Sequence, residues 1–175
     1  MRHSATHRRS FLVVAAGGVV AALAAAPVRA LEAPTGKVLL TISGALAKPN
    51  DNGAASFDLA LLQQLPQHSF STKTPWYAQA RKFSGVLLRD LLASAGASAD
   101  AAIKAVALND YRVDIPAEDV LRRGAMLAYL LDDKPMSVRE KGPLVIIYPF
   151  DDQPELRTAV HYSRAIWQLR SLELK

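Results

Sequence analysis

No cysteine occurs anywhere in the 175-residue chain. Neither a disulfide nor a thiolate-bound metal can therefore hold the fold together. Stability has to come from a hydrophobic core, and the apolar residues that would build it arrive in short pieces separated by turn formers. The most hydrophobic piece, Leu144-Val145-Ile146-Ile147-Tyr148, follows Gly142-Pro143 and is closed by Pro149; it reads as a strand in the core.

The other pieces support an α+β reading. Lys37 to Ser43 is rich in β-formers and ends at Gly44, a first strand. Ala47 to Ala55 holds Pro, Asn, Asp and Gly and reads as a loop. Ser56 or Asp58 would cap a short helix through Leu59, Leu62 and Leu65, stopped by Pro66. His68 to Thr72 alternates as a second strand, and Ser84 or Gly85 would open a helix that buries Val86, Leu87, Leu88, Leu91 and Leu92 and ends near Gly96. Ile103 to Leu108 reads as a buried strand, Asn109-Asp110 as a turn, and Tyr111 to Ile115 as a half-exposed strand. Pro116 suits the first turn of a helix through Val120 and Leu121. Ala125 to Leu131 and Lys134 to Met136 form a hairpin across Asp132-Asp133, Pro149 to Glu155 is an acidic loop, and Ile166 to Leu174 alternates as a last strand. The sum is a single domain with a mixed, mostly antiparallel sheet and short helices.

Residues 1–30 carry the marks of an export signal rather than of fold. Arg2, His3, Arg8 and Arg9 form a basic head, Phe11 to Ala26 is uncharged, and Val28-Arg29-Ala30 resembles a cleavage site. The apolar run is about sixteen residues where a membrane span needs about twenty; an uncleaved anchor is the alternative. His7-Arg8-Arg9-Ser10-Phe11-Leu12 has the twin-arginine pattern, which implies folded export to the periplasm. The four arginines of this segment matter for charge. Residues 31–175 keep 17 of the 21 Lys and Arg against all 16 Asp and Glu, so the net charge falls from +5 to +1. No global field then favours nucleic acid.

Residue chemistry alone points weakly. There is no Gly-x-Ser-x-Gly elbow and no Gly-rich phosphate loop, and only His68 and His161 lie beyond the signal. Asp151, Asp152 and Glu155 could hold calcium, although a solvated acidic loop is the simpler reading. What remains is a set of polar and cationic residues at expected strand ends: Thr72 and Lys73, Asn109 and Asp110, Arg139 and Lys141, Ser163 and Arg164. Converging, they would suit an anionic, heteroatom-rich ligand such as a phosphorylated pterin.

Five pieces in order carry a resemblance. They are Phe83-Ser84-Gly85-Val86-Leu87-Leu88-Arg89-Asp90-Leu91-Leu92, Asn109 to Pro116, Lys134-Pro135-Met136, Lys141-Gly142-Pro143-Leu144 with Ile147 and Pro149, and Ser163-Arg164-Ala165-Ile166-Trp167. Together they resemble the molybdopterin-binding domain of the sulfite oxidase family, which includes the periplasmic methionine-sulfoxide reductase catalytic subunits. The resemblance spans about residues 36–174. It implies a mixed α+β fold, a molybdenum–pterin cofactor, oxygen-atom transfer, and pterin contacts at Asp110, Lys141, Ser163 and Arg164. In catalytic members a cysteine at the end of the second strand ligates molybdenum. Here Thr72 takes that position, and a hydroxyl is a poor substitute for a thiolate. Two functions are therefore expected from one pocket. The first is a molybdopterin-type oxidoreductase domain. The second is a non-catalytic periplasmic binding or sensory module, its pocket lined by Thr72, Trp76, Asp110 and Arg164, which takes a small anion or a periplasmic or membrane protein partner.

Overall fold

A computed structural model describes residues 31–98 and 100–175. The export signal expected over residues 1–30 lies outside the described residues. Ten strands and four short helices follow one another: β1 (Leu40–Ser43), β2 (Ala55–Phe57), α1 (Leu59–Gln64), β3 (His68–Thr74), β4 (Tyr77–Leu87), α2 (Leu88–Ser94), β5 (Ile103–Ala107), β6 (Arg112–Ile115), α3 (Ala117–Leu121), β7 (Met126–Leu131), β8 (Lys134–Pro135), β9 (Val145–Ile147), α4 (Ala159–Arg164) and β10 (Leu169–Leu174). The pairing is mixed and mostly antiparallel, as expected, and it divides into two sheets. One runs β2-β1-β10-β5-β6, with β1 and β10 its parallel pair. The other runs β3-β4-β7-β8, with β9 also on β7. Both sheets feed one core that includes Leu40, Phe57, Phe83, Leu88, Ile103, Ile146 and Leu172.

Local chemistry accounts for most element ends. Asp58 caps α1, its Oδ1 accepting the Leu61 N–H at 2.8 Å, while its Oδ2 accepts the N–H groups of Thr35 and Gly36. Ser56, the other candidate cap, lies within β2, which the loop-like composition before it concealed. The β7–β8 hairpin turns on Asp132 (φ 48°) and Asp133 (φ 63°), the positive pair that a two-residue type I′ turn requires. Their carboxylates pair with Arg81 and Lys82 of β4.

Three segments depart from the sequence reading. Ser84 and Gly85 do not open a helix; they continue β4, and α2 begins at Leu88. The reason lies across the sheet, because Gly85 pairs with Ala128 and a Cβ on it would stand 2.0 Å from the Leu127 carbonyl oxygen. The last strand begins at Leu169 rather than Ile166, because Gln168 turns the chain at φ 52°. Between the acidic loop and that strand, Thr158 caps α4 by accepting the His161 N–H, a helix that the apolar periodicity did not show.

Helix α4 is anchored by a buried charge. Asp119 of α3 accepts a hydrogen bond from the Tyr148 hydroxyl at 2.9 Å and from Arg164 Nη1 at 3.2 Å, with His161 Nε2 3.9 Å away. Burial and the neighbouring Asp119 carboxylate push the Tyr148 phenol well above its usual range, so it stays a neutral donor. Arg164 therefore joins α4 to α3. Removing it should leave the 3 % exposed Asp119 side chain without its cation; Arg164→Ala is expected to cost about 3 kcal/mol in chemical denaturation, with partial recovery in Arg164→Lys. Unchanged stability would show that the guanidinium is not structural. Gly85→Ala should also destabilise, by about 1–3 kcal/mol or more, as overpacking against fixed backbone does. A wild-type midpoint would contradict the close packing of β4 on β7.

Candidate functional site

The position expected to carry the metal ligand is closed into the scaffold. Thr72, in β3, is fully buried. Its Oγ1 accepts the Asp151 N–H at 3.1 Å and leans toward the Lys73 carbonyl at 3.4 Å. Asp151 answers through its side chain: Oδ2 accepts the Lys73 N–H at 2.9 Å and Oδ1 pairs with Arg157. Thr72 and the acidic loop thus clasp each other, and each polar group in the clasp has a protein partner. A hydroxyl engaged in this way is a structural cap rather than a ligand donor. Among the described residues, no three His, Cys, Asp or Glu side chains come together as a metal site. Asp151, Asp152 and Glu155 accordingly do not form a calcium cradle. Glu155 pairs with Arg123, and Asp151 is held by Lys73 and Arg157.

Beside Thr72 the chain turns at Thr74–Tyr77 and presents Trp76. Trp76 packs edge-on to Trp167 (5.2 Å between centroids) and to Tyr162 of α4 (6.1 Å). Together with Tyr111, Asn109, Ser163 and Gln168, these rings line a cleft of about 230 Å³. The rings are brought together by three separate elements. Trp76 comes from the β3–β4 turn, Tyr162 from α4, and Trp167 from the segment that enters β10. Tyr111, 44 % exposed, holds the rim by donating its hydroxyl to the Ser163 carbonyl at 3.1 Å.

Polar groups in and near the cleft are unspent. The Trp167 indole N–H is buried with no hydrogen-bond partner, and so is the Thr74 hydroxyl two residues before Trp76. The Asn109 Oδ1 accepts the Tyr111 N–H at 3.1 Å, while its amide nitrogen makes no hydrogen bond among the described residues. A buried donor without an acceptor costs free energy.

The five residues expected to contact a cofactor do not share one wall. Ser163 lines the aromatic cleft, with its Oγ bonded back to the Val160 carbonyl. Asp110 lies next to Asn109 at φ 63° and is paired with Arg170 at 2.7 Å, exposed to solvent. Lys141, at φ 71°, stands behind Trp167, its ammonium 5.3 Å from that ring and 5.8 Å from Tyr77. Arg164 turns inward to Asp119, and Thr72 lies beneath in its clasp with Asp151. The sequence reading passed over Tyr111, Tyr162 and Trp167 as site residues. Aromatic residues scattered through three segments carry no spacing signal, and only the fold assembles them.

Comparison with known proteins places this geometry. The chain matches the oxidoreductase molybdopterin binding domain over residues 35–150. No curated protein matches it. Among solved structures it is similar to the sulfane dehydrogenase SoxCD from Paracoccus pantotrophus, with a TM-score of 0.56 and 17 % identity over 77 % of this chain. The chain spans 37 % of that protein's length, so the likeness is one of fold. With the domain match covering most of the described residues, the chain belongs to the oxidoreductase molybdopterin-binding domain family.

Proposed function

We propose that this chain is an exported, periplasmic binding module of its family. It takes a flat, heteroatom-rich ring of the pterin class into the cleft formed by Trp76, Tyr111, Tyr162 and Trp167, and it holds that ring without a metal–sulfur bond. The observation that carries the reading is the state of Thr72, fully buried with its hydroxyl accepting the Asp151 N–H. The organic part of a molybdenum–pterin cofactor fits the residues present, because the aromatic rings of the cleft and the uncommitted Asn109 amide nitrogen suit a planar ring with acceptor nitrogens. The metal does not fit, because the donor at the expected position is an engaged hydroxyl and the chain has no thiol to replace it. No redox step is assigned to the site. Export rests on the basic, apolar and small-residue order of the first thirty residues. A periplasmic or membrane protein that senses the occupied cleft is the partner class this reading implies.

Molybdenum content of the mature protein, exported in a host that makes the cofactor, separates this reading from the catalytic one. Trace metal is expected. Near-stoichiometric molybdenum would overturn the proposal and establish ligation without cysteine. A free pterin should quench the tryptophan fluorescence saturably, and Trp76→Ala should weaken that binding by about 1–3 kcal/mol, the size of one stacking contact. Absence of quenching would remove the pterin class. Thr72→Val, of nearly the same shape, should lower stability by about 1–3 kcal/mol through the orphaned Asp151 N–H and leave pterin affinity unchanged. An affinity loss without a stability loss would return Thr72 to the ligand site.

A further inference from the structure

Behind Trp167, away from the aromatic cleft, lies a second and larger cavity of about 420 Å³. Tyr77, Leu131, Pro135 and Met136 form its apolar part. Arg81, Lys134, Arg139 and Lys141 supply cations, against the two carboxylates of Asp132 and Glu140. The acids are already engaged. Asp132 accepts the Lys82 N–H and pairs with Arg81, and backbone and guanidinium together hold its carboxyl below the usual range. Glu140 accepts both the Ser137 N–H and the Ser137 hydroxyl in a capping box. Three cations are not engaged in this way, and Lys134 is one that makes no ion pair among the described residues. Arg139 makes no ion pair among the described residues, and Lys141 faces only the Tyr77 and Trp167 rings. The left-handed backbone at Lys141 is uncommon for a lysine, and it is fixed by the Lys141 N–H bonding the Val138 carbonyl at 3.2 Å and by the Lys141 carbonyl accepting the Gln168 N–H at 3.0 Å. The main chain is thereby fixed, and the side chain reaches along the cavity wall to the Tyr77 and Trp167 rings.

We propose that this cavity is a second binding site, for a small organic anion that carries a carboxylate or phosphate on a flat apolar body. The apolar part would lie on Tyr77 and Met136, and the anionic group would meet Arg139 and Lys141. A concave site of this size that sets an apolar patch beside convergent charged groups can hold a small molecule, and a charge-assisted contact supplies the selection for anions. The site is independent of the pterin reading, which concerns the opposite side of Trp167.

Calorimetric titration of the mature protein with 1-naphthyl phosphate, 1-naphthoate, 1-naphthol and inorganic phosphate tests the assignment. One or both naphthyl anions should bind at least about tenfold more tightly than naphthol or inorganic phosphate, and which of them is tighter identifies the anionic group. Arg139→Gln and Lys141→Gln should each weaken that binding roughly ten- to a hundredfold. Arg139 is exposed, so its variant keeps the wild-type stability and leaves pterin quenching unchanged. Equal binding of the anions and naphthol, or affinity unmoved by both substitutions, would overturn the site. Loss of pterin quenching in Arg139→Gln would overturn the independence of the two cavities.

Discussion

The two sheets depend on one short stretch of backbone pairing. The segment from Ala165 to Leu169 runs antiparallel to the strand that follows Gly142-Pro143. The Gln168 N–H donates to the Lys141 carbonyl, the Ile146 N–H to the Ile166 carbonyl, and the Leu169 N–H to the Leu144 carbonyl, all between 2.9 and 3.0 Å. Trp167 and Val145 form an isolated bridge within it. Through β9 this stretch belongs to the β3-β4-β7-β8 sheet, and through β10 it enters the sheet of β1 and β5. It also sets the position of Trp167, whose ring faces Trp76 and Tyr77. The most hydrophobic strand of the chain is thus more than core filler. Its burial fixes the seam, and the seam fixes the ring that separates the two cavities.

The same logic explains why Thr72, expected at a metal position, belongs to the scaffold. In this chain, Thr72 and Asp151 satisfy each other's polar groups across a gap of 79 positions. A buried hydroxyl that accepts a backbone N–H contributes by filling a need that would otherwise go unmet. Fully buried in this contact, Thr72 presents no accessible surface to a ligand. The Thr72 hydroxyl and the Lys73 N–H together hold the acidic loop at Asp151. Arg157 reinforces this arrangement by bonding both the Phe150 carbonyl and Asp151.

How much of this was legible in the sequence follows from the range of the forces involved. Asp58 as a cap, the Asp132-Asp133 turn, the burial of Ile146 and the helix after Pro116 each rest on neighbours within a few residues, and each was readable. Helix α3 differs only in that Pro116 stands at its cap rather than inside its first turn. Gly85 was misread because the sequence displays a helical spacing of Leu88, Leu91 and Leu92, while the close approach of Leu127 that keeps the chain extended is a cross-strand fact. Among the expected site residues, type and role came apart. Arg164 and Asp110 were chosen as free charges, yet each finds an oppositely charged partner at a distance in sequence, Asp119 for the first and Arg170 for the second.

That separation between present charge and available charge decides what the molecule can bind. Most arginines among the described residues spend their charge on internal ties, Arg81 with Asp132, Arg123 with Glu118 and Glu155, and Arg157 with Asp151. Exposed ties of this kind add little stability individually, but they leave the surrounding surface close to neutral. With a net charge of only +1 over residues 31–175, long-range attraction is weak. Recognition must then come from short-range features: aromatic rings with the Asn109 amide nitrogen in one cavity, and uncommitted cations beside an aromatic ring in the other. Both favour ligands that bring a planar body together with a localised acceptor or negative group, because neither stacking nor charge alone is abundant at either site.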